Sequence, residues 1–548
     1  MASGHSQMTR YPKPTDRGNH QHSKVIIRNA RVYDGTGSAP YTGDLSVDGD
    51  RIGAVGGSLP PAARLEEVDA TGLAVMPGVV DLHTHSDVSL ISDPGCVSAI
   101  AQGVTTQLVG LCGFSAAPVS DSTLQSMIDE EPIFAFPDVQ WTWTTIAGYR
   151  EAIDRLSPAT NVATLVGHNT LRRFVIGGAN VSPTSAQLER MRALLRQALR
   201  EGARGFSTGL SYAPGLFADL DELVALARVA AEEGKPYHTH MRYGLPPIRD
   251  ILAEAIETAE RAGVELNVSH LYPRPTDPFD EPERYLEMIE AARGRGVHVT
   301  FDLTIFLRGG GAWVQVLPTW ARDGGMASTV ALLKDPIARA RLVRELQTSS
   351  GWSWLADWED QLITKINRPQ NAALVGRTIA EIALERGEEP IQTALNLIEQ
   401  DGQYWVSPTI KNQAHLDRLM RSPLCVPVTD GMAAHPVKHG ALGLMPRTFG
   451  TFPQVLGRYV REAGVLSLED AVHRMTQVPA ARIGLTDRGV LAPGMAADLV
   501  LFDPASIANR ATEADPALLP TGIHRVMVNG QWALVDGAFA TSRFGRAL

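Results

Sequence analysis

The chain has 548 residues, of which 44% are hydrophobic and 20% charged, and a net charge of −10. That length suits one large domain with an accessory module, and an acidic balance without a basic run argues against a nucleic-acid partner, whose phosphates need clustered Lys and Arg. Three cysteines, Cys96, Cys112 and Cys425, are too few for a disulfide framework and make a reducing cytoplasm the expected compartment, and no segment reads as a secretory leader or as a membrane partner's bilayer span.

Residues 1–24, polar and holding His5, His20 and His22, read as a disordered arm. From Val25, alternating apolar runs broken by Asp34-Gly35 and other glycine turns predict several short strands up to about Gly57. Further strands are predicted at 74–81, 104–110, 162–167, 202–208, 236–240, 265–270, 298–303 and 425–429. Between them lie helical stretches, one carrying Leu188, Met191, Leu194, Leu195 and Leu199 behind a Thr184-Ser185 N-cap, others over about 220–233 and 247–262. Eight strands alternating with crossover helices predict an α/β protein, a parallel (β/α)8 TIM-like barrel over 76–487. The stretch from about 306 to 424 is too long for one crossover. With Gly309-Gly310-Gly311 and the aromatic run Trp352, Trp354 and Trp358 it reads as an insertion at the barrel mouth, either a lid or a plain surface excursion. After it, 497–503 reads as a strand and Val526 to Val535 as a hairpin turning at Asn529-Gly530. Neither 25–75 nor 488–548 has the strands to bury a core alone, so the two ends are expected to combine into one small β-sandwich domain.

Barrel enzymes carry their chemistry where strands end. The first strand ends in His83-Thr84-His85, two imidazoles that extended backbone sends to the same side. The second ends near Cys112, the fifth in His238-Thr239-His240, the sixth in Ser269-His270 and the eighth in Thr429-Asp430-Gly431. Each alone reads equally well as a core or capping residue. Five strand ends carrying His, Cys or Asp at one end of a barrel point to a metal site with zinc-type donors.

At these positions the chain resembles the amidohydrolase superfamily, and within it the N-acyl-D-amino-acid deacylase (D-aminoacylase) family. The resemblance is carried by Pro77-Gly78-Val79-Val80-Asp81-Leu82-His83-Thr84-His85, Cys112-Gly113-Phe114-Ser115, Gly167-His168-Asn169-Thr170, Gly205-Phe206-Ser207-Thr208-Gly209-Leu210 with Tyr212, His240-Met241-Arg242, Pro446-Arg447-Thr448-Phe449-Gly450 and Gly489 through Val500. It implies a tight zinc held by Cys112, His240 and His270, with a weaker second site formed by His83, His85, Cys112 and Asp430. It implies that Cys112 stands where related hydantoinase-type enzymes have a carbamylated lysine, and that Asp430 shuttles the proton from water to the leaving nitrogen. His240, followed by Met241-Arg242, matches the ligand position better than His238. His168 either lines the pocket or packs behind it.

The resemblance also implies a polar clamp for the substrate's carboxylate. Arg447 matches its arginine and Tyr212 a pocket tyrosine. The chain departs elsewhere: Tyr272 stands where the family commonly has lysine, Asp302-Leu303-Thr304-Ile305-Phe306 replaces Asp-x-Tyr-Pro-Tyr, and Met445 replaces the histidine before Pro446. Losing one charged hydrogen bond weakens carboxylate binding by roughly 10- to 150-fold. The expected substrate is therefore a small molecule with a less anionic or differently placed group around Tyr272, Phe306 and Arg447, or a bulkier apolar part. Two other readings stay open: a cyclic-amide or carbamate hydrolase or deaminase on the same scaffold, and a non-catalytic relative. The sequence leaves homo-oligomerisation open.

Overall fold

The computed structural model describes residues 24–60, 65–131, 133–244, 246–348, 355, 357–439 and 444–548. The expected arm before Lys24, and Trp352 and Trp354, lie outside the described residues. The architecture is mixed α/β. Its central strands are Val79–Asp81, Val104–Val109, Asn161–Thr164 with Val166–Gly167, Phe206–Gly209, Tyr237–His240, Leu266–Val268, Val299–Leu303 and Cys425–Pro427. Their residues are buried throughout, as befits parallel strands covered by helices.

The strands pair in parallel and in chain order. Val79–Asp81, Val104–Val109 and Asn161–Thr164 make one sheet; Val166–Gly167 through Cys425–Pro427 make another of six. The chain passes from one sheet to the other at Leu165, whose N–H donates to the Val109 carbonyl at 2.9 Å while the Val166 N–H donates to Gly205 at 2.9 Å. First and last strands also meet beyond their ends. The Asp430 N–H donates to the His83 carbonyl at 2.9 Å, the His85 N–H donates to Gly431 at 2.7 Å, and Thr84 bridges Gly431 in parallel.

The predicted helices form with the caps their sequences supply. Ser185–Arg200 starts at Thr184, whose hydroxyl accepts from the Gln187 N–H in a reciprocal capping box. Leu220–Glu232 is capped by Asp219, and Ile248–Ala262 stops at Gly263 in the left-handed region. Met191, Leu195, Leu226, Val229, Leu252 and Ile256 turn inward to the main apolar core against Phe206, Tyr237 and Leu266.

Three predicted strands are corrected. Residues 162–167 fall into Asn161–Thr164 and Val166–Gly167, in different sheets. Residues 74–81 are two strands, not one: Ala74–Pro77 belongs to the terminal sheet and Val79–Asp81 to the central one. The switch falls at Gly78, where a Cβ would lie 2.1 Å from the Thr105 hydroxyl oxygen. The strand expected from 202 begins only at Phe206, because Gly202 sits at φ 109°, outside the extended region.

Both chain ends meet in one nine-stranded mixed sheet. Ala74–Pro77 runs between Lys24–Val32 on one side and Leu499–Phe502 on the other. The hairpin of Ile523–Val528 and Gln531–Val535 turns at Asn529 and Gly530, both at positive φ (48° and 80°) as a tight two-residue turn demands. The insertion has a core of its own. Gly311–Ala312, Leu362–Lys365 and Trp405–Ser407 form a small antiparallel sheet, packed with helices such as Pro390–Asp401 around Trp313, Ile363, Leu395 and Tyr404.

Candidate metal centre and active-site cleft

At the carboxyl ends of the central strands, side chains from five strand ends converge. The Cys112 Sγ lies 3.2 Å from His83 Nε2 and 3.6 Å from His270 Nε2, and His240 Nδ1 lies 2.9 Å from His270 Nε2. Asp430 Oδ1 is 3.2 Å from His85 Nε2 and 3.5 Å from His83 Nε2. Two groups result, each compact enough to hold one metal ion: His83, His85 and Cys112, and Cys112, His240 and His270. Cys112 belongs to both.

The donor set fits zinc. A tetrahedral ion with bonds of about 2.3 Å to sulfur and about 2.0–2.1 Å to nitrogen separates its S and N donors by about 3.6 Å and its N donors by about 3.3 Å. The 3.6 Å from Cys112 to His270 matches the first spacing, and the 2.9 Å between the two imidazoles is slightly tighter than the second. Thiolate plus imidazole is also the pairing that selects zinc over harder ions.

Local backbone explains how three of these side chains reach the centre. Cys112, His270 and Asp430 all adopt left-handed φ (51°, 38° and 46°), each two or three residues beyond the end of a strand. A non-glycine residue held there costs about 1–3 kcal/mol and persists only where the surroundings enforce it. For Cys112 the enforcement is visible: a Cβ on Gly209 would stand 1.9 Å from the Cys112 carbonyl oxygen.

Electrostatics favour the ionised, metal-binding forms of Cys112 and Asp430, while His83 and His85 must give up a proton to bind a metal. Burial works against the Cys112 thiolate, but the charge of His83 and hydrogen bonds from His240, His270 and His83 hold its pKa well below the ordinary thiol value. Burial likewise opposes the charged forms of His83 and His85. Cys112 and Asp302 nevertheless raise the first well above its usual value, and Asp430 and Cys112 push the second up to about 9. The Asp430 carboxyl, despite burial, is kept well below the carboxylate range by Arg447, whose guanidinium lies 2.9 Å from Oδ2, and by His85 and His83. Behind the centre, Asp302 takes the His270 N–H at 2.6 Å and the Asn267 amide at 2.7 Å, and lies 3.4 Å from His83 Nδ1. It orients the His83 ring, a supporting role that carboxylates commonly take toward metal-binding imidazoles, and holds His270 by its backbone N–H.

The converging groups open into a cleft of about 780 Å³ of empty space, its mouth included. Tyr212, Tyr272 and Arg447 line it; Tyr212 packs its ring 4.7 Å from His240. His168 and Phe306 are not among the lining residues. His168 opens the helix His168–Val175 and is 2.7 Å from the buried Glu222, which also takes Arg172 at 2.9 Å, so the packing alternative describes it. Phe306 contributes its carbonyl, which accepts from the Lys411 ammonium at 3.2 Å. His238 is fully buried below His240 with neither ring nitrogen hydrogen-bonded, and burial drives its pKa down to about 3.

The sequence reading missed several lining residues: Ile133, Thr304, Trp405, Ile410, Lys411 and Met432. Thr304 was within reach, since it sits at a tyrosine position of the family motif. Trp405, Ile410 and Lys411 come from the insertion, where no periodicity marks a functional face. Gly309 and Gly310 let that segment close in: a Cβ on Gly309 would meet Ile410 Cδ1 at 2.2 Å and one on Gly310 would meet the Met445 methyl at 1.7 Å.

Comparison with known proteins agrees with this geometry. The amidohydrolase family model matches residues 66–533. An N-acyl-D-glutamate deacylase of Alcaligenes xylosoxydans xylosoxydans is 32% identical over 531 residues, 96% of each chain. The structure of an N-acyl-D-glutamate deacylase from Bordetella bronchiseptica, complexed with zinc and a phosphonate mimic of the tetrahedral intermediate, is 30% identical with a TM-score of 0.80, covering 96% of this chain and 100% of that one. A D-aminoacylase described by its binuclear metal centre is 31% identical with a TM-score of 0.78, covering 96% and 99%. The chain belongs to the amidohydrolase family, in its N-acyl-D-amino-acid deacylase branch. It is a metal-dependent enzyme of the class that hydrolyses carbon–nitrogen bonds other than peptide bonds. No helix among the described residues is long and apolar enough to cross a membrane.

Proposed function

We propose that the protein is a zinc-dependent deacylase that hydrolyses the amide bond of an N-acyl-D-amino acid, with a carboxylate clamp rebuilt relative to its family. The observation that carries this reading is the convergence on one thiolate: Cys112 stands between His240 and His270 on one side and His83 and His85 on the other, with Asp430 and Arg447 beside it. Cys112, His240 and His270 are the ligands of the tight ion; His83, His85, Cys112 and Asp430 form the second, weaker place. We read the eight parallel strands as one (β/α)8 barrel over 76–487, joined across Thr84 and Gly431, and the sheet of both ends as the β-sandwich module of 25–75 and 488–548.

When bound, zinc supplies Lewis acidity that makes water nucleophilic at neutral pH and polarises an acyl carbonyl. Asp430 is an acceptor set at the cleft floor, ionised because Arg447 and the imidazoles favour its charge. It takes the proton of the attacking water and returns it to the leaving nitrogen. Arg447 is placed to hold both Asp430 and the substrate's acid group, and Tyr212 closes the wall beside His240. The missing lysine at 272 and tyrosine at 304 alter where that acid group is held.

The test combines metal analysis of the purified protein with a panel of N-acyl D- and L-amino acids. Bound zinc with D-selective release of the amino acid is the expected result. Zinc-loaded protein inert toward the whole panel overturns the reading. Asp430→Asn is expected to lower turnover by at least 100-fold, the scale of a lost acid–base group, while zinc stays at Cys112, His240 and His270. Retained turnover removes Asp430 from the proton path.

A further inference from the structure

The insertion delivers a lysine into the cleft. Lys411 is 3% exposed and lines the same space as Arg447, Tyr272 and Asp430. Its ammonium donates to the Phe306 carbonyl at 3.2 Å and lies 5.0 Å above the Tyr272 ring. Tyr272 is itself stacked on Tyr243, ring centroids 5.4 Å apart, and Tyr243 donates to the His270 carbonyl at 3.1 Å. The lysine therefore rests on an aromatic pair tied to a metal-centre histidine. Among the described residues no carboxylate pairs with Lys411, whereas Arg447, the arginine lining the same cleft, is already paired with Asp430 at 2.9 Å.

A buried ammonium that has one carbonyl and one ring face for company is poorly compensated. Burial accordingly pushes its pKa down to about 7, with Arg447 adding to the effect and Asp430 opposing it. Such a group on a cleft wall is a waiting half of an ion pair. The cleft ligand that completes it is an anion, and in a deacylase that anion is the substrate's carboxylate.

We propose that Lys411 is the second cation of the carboxylate clamp, supplied from the insertion side of the cleft and stacked over Tyr272, so that the substrate's acid group sits between Lys411 and Arg447. The inference rests on the deacylase reading for the identity of the anion, but not for the presence of an anion site. It also changes what Tyr272 means: the tyrosine becomes the platform beneath a relocated charge, and the clamp keeps two cations in a different arrangement.

The experiment uses full-length, zinc-loaded protein with N-acetyl-D-leucine and its primary amide. Binding is measured by calorimetry and turnover by amino-acid release, for wild type, Lys411→Met and Lys411→Arg. Wild type is expected to bind the acid more tightly than the amide. Lys411→Met is expected to weaken the acid by roughly 10- to 150-fold, the range of one charged hydrogen bond, and to leave the amide within about twofold; Lys411→Arg keeps most of the preference. Equal weakening of acid and amide by Lys411→Met, or no change in either, overturns the proposal, as does wild type that fails to bind the acid. Binding that depends on Lys411 without any turnover upholds the anion site and rejects the deacylase reading. Lys411→Arg, which keeps charge and length, guards against a folding defect in the methionine variant.

Discussion

A lysine poised near neutrality makes substrate capture depend on pH in a defined direction. Burial first, then the charge of Arg447, lowers the Lys411 pKa to about 7, and Asp430 opposes them. The groups facing it are the Arg447 guanidinium from the helix Arg447–Gln454, the Asp430 carboxylate at the end of the last strand, the Tyr272 phenol and the Phe306 carbonyl. In the free enzyme the ammonium that attracts a carboxylate is present below about pH 7 and lost above it. Since kcat/KM reports ionisations of the free enzyme, its value for the acid substrate is expected to fall as pH rises from about 7 to 9. Lys411→Arg should move that falling limb upward, because a guanidinium stays charged. A limb unmoved by this exchange assigns the titration to another group. The same residue marks the limit of sequence reading at the site. His83, His85, Cys112, His240, His270 and Asp430 were legible because zinc-type donors at strand ends form a pattern. Lys411 and Asp302 were not. A lone lysine in an insertion carries no period, and the value of Asp302 lies in distances to His83 and His270 that only folding creates.

At the scale of elements, the site depends on how closely neighbouring strand ends approach. Phe206–Gly209 packs its last residue so tightly on Cys112 that a Cβ at Gly209 would meet the Cys112 carbonyl oxygen at 1.9 Å and its carbon at 2.6 Å. Both are backbone atoms and yield less readily than a side-chain tip. Gly209→Ala is therefore expected to displace Cys112, destabilise the protein by about 1–3 kcal/mol, the cost of overpacking, and weaken zinc retention at Cys112, His240 and His270 by more than about tenfold. Competition against a graded chelator measures the second effect. Gly178→Ala, where the added Cβ has no atom within 4 Å, is the control; equal zinc loss in both variants removes the packing argument. The strands themselves were largely readable, because buried parallel strands are continuous apolar runs ending at turns. Their exact bounds were not. Gly78 and Gly202 reshape the backbone at two starts, and the sheet to which Ala74–Pro77 belongs is decided by a partner, Leu499–Phe502, more than four hundred residues away.

At the scale of the molecule, the terminal sheet is fastened to the central strands at the end opposite the cleft, and one buried carboxylate does the fastening. Asp498 Oδ2 lies 2.6 Å from the Arg488 guanidinium and accepts from the Asn161 amide at 3.2 Å, while Oδ1 accepts the Asn529 N–H at 2.6 Å. The Asp498 carbonyl takes the N–H of Gly78, the residue that leads into the first central strand, at 2.8 Å. Hairpin turn, third strand and first strand thus share one residue. The side chains of Arg488 and Asp498 are 1% and 3% exposed, so removing the acid leaves the buried guanidinium with only the half-exposed Asp487, 3.1 Å from its Nε, as carboxylate partner, a loss smaller than the ~3–5 kcal/mol of a fully broken buried pair. Asp498→Ala is expected to lower the urea concentration of half-inactivation, and Asp498→Ala with Arg488→Met to recover part of the loss, since the poorly compensated buried charge goes with the arginine. Turnover per bound zinc should stay near wild type in both, because the knot lies at the amino ends of the strands and the chemistry at their carboxyl ends. Unchanged resistance to urea with lost turnover per zinc would reverse that division of labour and place Asp498 in communication with the metal centre through the strand Val79–Asp81 and the residues that follow it to His83.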